Sequence, residues 1–171
     1  MSDFENSSFI CKGNDLYTNY ASAIGTAVGL SSIGGKTGIA TDGSRAAKSA
    51  AYSIMGALSA ASSRVWNFGE SFYAQFQYLV KFCSLDSGIF ISRKNAQTVI
   101  RICGKNGLPI SINAQNELEG IMNNSKFLED KPAFCGEISE MHGVGMMYLR
   151  QLLRQARGEL KDISCFVKCR N

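Results

Sequence analysis

Between Leu16 and Gly35 the chain carries no charged residue, and a second charge-free run extends from Ser49 to Ser63. Segments of this kind must be buried, either in a protein core or in a bilayer. Their content argues against lipid. They are built of Ala, Gly and Ser, with Thr18, Asn19 and Thr26 inside the first. The second is also shorter than the roughly 20 predominantly apolar residues that a span requires. A membrane-active hairpin over residues 16–63 is therefore a minor alternative. Close helix packing through small side chains fits better, with Gly25-xxx-Gly29 facing a cluster of Ala46, Ala47, Ala50 and Ala51.

With Pro109 and Pro132 the only prolines in 171 residues, most of the chain is open to helix. The first fourteen residues are polar and read as a flexible arm; residues 15–171 read as one helical domain. Leu16, Tyr17, Tyr20, Ile24 and Val28 recur near the helical period. A second helix capped by Asp42 or Ser44 extends onward. Val65, Phe68, Phe72, Phe76, Leu79, Val80 and Cys83 continue its stripe, while Trp66, Tyr73, Tyr78 and Phe82 lie off it. "SGIFIS" (87–92) and "LPISIN" (108–113) read as connectors, a minor pair of short extended segments. Ser92 opens a helix through Ala96, Val99, Ile100 and Cys103, and Asn113 opens another. A long C-terminal helix steps from Phe134 through Ile138, Met141, Leu149 and Leu152 to Val167. The expected fold is all-α, a single-domain bundle of five or six helices.

The chemistry is sparse. "GLSSIGGKTG" (29–38) resembles a phosphate-binding loop, but the required first glycine would fall at position 30, which is Leu. A P-loop also follows a buried strand, and Tyr20–Val28 has helical spacing. His142 is the sole histidine, and the six cysteines include no CxxC pair, so neither a metal site nor a catalytic dyad is indicated. No cofactor is implied. Acids in the first fifteen residues replace the basic start of a signal peptide, which points to a cytoplasmic protein or one exported without a cleaved signal.

Arg150, Arg154, Arg157 and Lys161 form a basic stripe on the last helix, a candidate surface for an anion or a partner. The net charge of +4 is too small to demand nucleic acid. Ala51, Trp66, Phe72 and Phe76 are candidates for packing or interface roles. The sequence therefore predicts a non-enzymatic helical assembly protein, a structural subunit or secreted accessory factor. It would act through protein–protein contacts, self-association included. A nucleic-acid-associated protein using the basic stripe is the alternative.

Overall fold

A computed structural model of the chain describes residues 4–5, 8–11, 19–123 and 134–156. The architecture is α/β, not all-α. In chain order the elements are β1 (Phe4–Glu5), β2 (Ser8–Cys11), α1 (Asn19–Leu30), β3 (Lys36–Thr41), α2 (Arg45–Ala60) and β4 (Arg64–Glu70). There follow α3 (Tyr73–Phe82), β5 (Ser87–Lys94), β6 (Gln97–Cys103), a helical turn at Lys105–Gly107, α4 (Ile112–Asn123), β7 (Ile138–Glu140) and α5 (Gly145–Gln155). Seven strands make one mixed sheet in the order β1-β2-β6-β5-β3-β4-β7. β5, β3, β4 and β7 run parallel to one another, whereas β6, β2 and β1 are added antiparallel.

The sheet is covered on both faces. On one, α1 and α2 pack with Leu118 of α4 over Ile39, Val65, Ile89, Ile91, Ile100 and Ile102. On the other, Phe76, Leu79 and Val80 of α3 pack over Ala40, Phe68, Phe90 and Cys103. Two glycines set the closeness of that second layer. A Cβ on Gly38 would lie 2.8 Å from Leu85 and 2.9 Å from Phe68, and one on Gly88 would lie 2.6 Å from Val80 and 2.7 Å from Phe76. These residues are side by side in the β3–β5 register. Bare backbone there lets α3 rest directly on the sheet.

The small residues of the charge-free runs form a helix–helix contact: a Cβ on Gly25 would stand 2.7 Å from the Ile54 carbonyl, and one on Gly29 2.6 Å from Ala61. α2 begins at Ser44, whose hydroxyl accepts from the Ala47 N–H at 3.4 Å.

Several expected helices are strands, with a common cause. β4 was expected inside a continuous helix, but Val65 and Phe68 belong to the strand, Phe72 caps α3, and Phe76 is on α3. The three-and-four spacing arises because a strand stops and a helix starts within it. β6 was expected as helix because Ala96, Val99, Ile100 and Cys103 have helical spacing. The strand is buried over most of its length on both faces, so no two-residue alternation survives. The expected long C-terminal helix is instead β7, a turn, and α5; its continuation beyond residue 156 lies outside the described residues. Part of the segment read as an arm, Ser8–Cys11, is a strand paired to β6. No described helix is long and apolar enough to cross a membrane, and β3 interrupts the would-be hairpin.

Candidate functional site at the carboxyl ends of the parallel strands

The chain passes from β3 through α2 to β4 on one side, then from β4 through α3 back across β3 to β5. The loops after β3 and β4 consequently leave on opposite faces of the sheet. In open α/β sheets, such a divergence leaves a crevice at the carboxyl ends of the strands, where ligands bind. Here that edge is built from Asp42-Gly43-Ser44 after β3, Glu70 to Phe72 after β4, and the β5–β6 hairpin.

Asp42 fastens two of these pieces. Its carboxylate accepts from the Arg93 N–H at 2.7 Å and from the Ser44 N–H at 3.0 Å. Burial raises its pKa, but the hydrogen bonds from the Arg93 backbone and from Ser44 outweigh that effect and hold the carboxyl below its ordinary value. The neighbouring acid, Glu70, is paired with Lys48 at 2.5 Å. That pair raises the Lys48 pKa, by its hydrogen bond first and its charge second. Further along the edge, Asn67 donates to both oxygens of Glu140 at 2.9 Å. The carboxylates of this rim are thus each engaged.

The cations of the hairpin are not neutralised in this way. Ser92 and Lys94 of β5, Val99 and Arg101 of β6, and Ser8 and Ile10 of β2 share the α3 side of the sheet by strand alternation and register. A groove of about 370 Å³ opens there, lined in part by Lys94, Asn95, Gln97 and Arg101. Arg101 is half-buried, donates from Nη1 to Ser92 Oγ at 3.2 Å, and lies over the Tyr73 ring with 5.3 Å from Cζ to the centroid. Neither Arg101 nor Lys94 takes part in the ion pairs found among the described residues, which are Lys48–Glu70 and Lys105–Asp86. A half-buried guanidinium with no carboxylate partner among the described residues favours an incoming anion, since low local dielectric strengthens a charge-assisted hydrogen bond.

A second groove, of about 440 Å³, opens at the opposite, amino-terminal edge between Lys36, Arg64, Asp86 and Glu137. Its charges are mixed, and Asp86 is already held by Lys105 at 3.5 Å and by the Lys36 N–H at 3.0 Å. The loop resembling a phosphate cradle ends here. It follows a helix and precedes a strand, the reverse of a P-loop. Among the described residues, no cluster of three or more His, Cys, Asp or Glu side chains could hold a metal ion.

The residues singled out from sequence are dispersed. Arg150 and Arg154 are exposed on α5, away from the groove, and Arg157 and Lys161 lie outside the described residues. Ala51 is buried on α2, Phe76 is fully buried on the sheet-facing side of α3, and Trp66 is half-buried beside the same cluster. Phe72 is 81% exposed at the cap of α3. The groove residues Lys94 and Arg101 escape a reading of the sequence because their segment has helical spacing. The β-branched run of Thr98, Val99, Ile100 and Ile102 was the available signal for a strand.

No protein-family model matches the sequence, and no curated protein matches it. Solved structures do match in fold. A Thermus thermophilus protein described as a phosphomannomutase aligns with TM-score 0.67 and 16% identity over 82% of this chain. A phosphoglucomutase/phosphomannomutase family protein from Burkholderia thailandensis aligns with TM-score 0.73 and 17% identity over 90%. The chain spans about a third of those proteins, 34% and 36% of their lengths. The expectation of a non-enzymatic helical assembly protein rested on a bundle that does not exist, and it is overturned here. So is the expectation that the chain is no enzyme: it has the fold of a segment of mutase-family structures.

Proposed function

We propose that this chain is a phosphohexose-binding module of a phosphotransferase-type enzyme, with its ligand's phosphoryl group seated against Arg101 and Lys94. One observation carries the reading: a half-buried guanidinium with no carboxylate partner among the described residues, in a groove at the carboxyl edge of the sheet. Two considerations support it. The structures of like fold are named for mutases of phosphorylated hexoses. The groove pairs cations for a phosphoryl group with amide groups (Asn95, Gln97) suited to sugar hydroxyls. In this reading the guanidinium takes phosphoryl oxygens through paired N–H donors, and Ser92 fixes its orientation. Because the chain spans about a third of the mutase-family proteins, the remaining groups of a complete active site come from outside these residues.

Calorimetric titration of the full chain with mannose 1-phosphate tests the proposal. Binding should weaken with added salt, and Arg101→Met should weaken it about 10- to 100-fold, the worth of a hydrogen bond to a charged group. Equal binding of unphosphorylated mannose, or an unchanged affinity in Arg101→Met, would refute it.

A further inference from the structure

A cation can be held in place in two ways with different consequences for a ligand. A carboxylate partner neutralises the guanidinium and consumes its N–H donors. An aromatic face attracts the cation through its quadrupole and takes no hydrogen bond in exchange. Arg101 is held the second way. Its guanidinium lies over Tyr73, whose own ring packs against Phe90 with centroids 5.3 Å apart. Phe90 is itself the cross-strand partner of Arg101 and packs on Phe76 at 5.7 Å. The aromatic stack is therefore anchored in the core, and Tyr73 does not line the open groove. Of the five donors of the guanidinium, one is committed among the described residues, from Nη1 to Ser92.

We infer that Tyr73 is a positioning residue for anion binding: its ring supports the Arg101 guanidinium, so that the charge and most of its N–H donors stay available to a phosphoryl group. This rests on the reading of the groove as a phosphohexose site. The ring, not the phenolic hydroxyl, is the working part. Burial raises the Tyr73 pKa, so the hydroxyl is neutral at physiological pH and adds no charge beside Arg101.

The test compares Tyr73→Phe and Tyr73→Leu in the full chain, by titration with mannose 1-phosphate and by thermal melting. Tyr73→Phe should bind as the parent does. Tyr73→Leu should keep a cooperative melt but bind about 3- to 10-fold more weakly, the range of a partly desolvated cation–π contact. The same replacement in an Arg101→Met background should have no further effect on binding, because the group it positions is gone. Parent-like binding by Tyr73→Leu would overturn the inference while leaving the groove reading intact. An equal loss in the Arg101→Met background would also overturn it, placing Tyr73 in direct contact with the ligand. Failure of the parent chain to bind at all would instead remove the reading on which the inference rests. Should Tyr73→Leu not fold, Tyr73→Trp supplies the second arm. It retains an aromatic face and should bind within about threefold of the parent; a loss beyond about tenfold with a cooperative melt would count against ring support.

Discussion

The closeness of α3 to the sheet depends on Gly88, and replacing it with alanine measures how tightly that layer is built. The new methyl carbon would stand 2.6 Å from Val80 Cγ2, 2.7 Å from Phe76 Cζ and 2.9 Å from Cys103 Sγ. All three neighbours are buried at 1% exposure or less, so none can swing into solvent. Overpacking of this kind costs about 1–3 kcal/mol. Loss of glycine's excess unfolded-state freedom returns about 0.4–1 kcal/mol, since the backbone at Gly88 is not in the left-handed region. We predict a net destabilisation of about 1–2 kcal/mol, which for a domain of this size lowers Tm by about 2–8 °C. Chemical denaturation of Gly88→Ala, Val80→Ala and the double variant checks the cause. If the clash with Val80 is responsible, the double variant should be more stable than the two single losses predict when added, by at least about 0.5 kcal/mol. A Gly88→Ala protein as stable as the parent, or strict additivity, would show that α3 yields and that the glycine does not set the spacing.

Three further outcomes are expected. The β5–β6 hairpin turns at Asn95 and Ala96 with φ of 50° and 62°, so Ala96→Gly should stabilise the protein by about 0.5–1 kcal/mol in urea denaturation; a loss of stability would contradict the strain. Burial pushes the Cys103 thiol up to about 12 from an ordinary 9.0, so its folded form favours the neutral thiol. Its contribution to stability should be complete below pH 9 and disappear between about pH 9 and 12, and a thiol reagent at pH 8 should label exposed Cys135 well before Cys103 in peptide mass mapping. Asp42 has the opposite sign: its carboxyl is depressed, so its contribution is present above the ordinary 3.8 and lost as pH falls below it. The Asp42→Asn protein should therefore lose less stability than the parent on acidification from about pH 5 to about pH 2, followed by circular dichroism.

What the sequence made legible was local chemistry. Ser44 announced the start of α2, the glycines after Leu30 announced a loop, and the small residues at Gly25 and Gly29 announced a close helix contact. Strand identity was obscured for reasons that follow from the fold. β3, β5 and β6 are buried on both faces over most of their length, so their apolar residues do not alternate. Gly38 looked like a loop residue, yet it occupies a strand, where Leu85 and the Phe68 ring press on it, whereas Gly88 falls in the segment 87–92 that was expected to be extended and is the start of β5. The groove was harder still. Arg101 and Ser92 are nine residues apart in sequence, but they meet only because β5 and β6 pair antiparallel around a two-residue turn. A segment read as helix would have placed them on unrelated faces. The basic residues that did stand out, Arg150 and Arg154, attract notice by regular spacing alone, and they lie on an exposed helix rather than at the sheet edge.

The order of strands has a consequence for how this protein is made. β2, near the start of the chain, pairs with β6, so that Phe9 sits opposite Ile100, about 90 residues later. During synthesis the amino-terminal strand leaves the ribosome long before its partner exists. At about 5–20 residues per second, it waits seconds with an apolar side chain and unpaired backbone exposed. Phe9, buried in the finished protein, is then an open hydrophobic contact. α1, α2 and the β3–β4 pair can assemble in that interval, whereas β2 can be added only after residue 103 has emerged, which makes this strand the point at which a nascent chain is open to capture by chaperones.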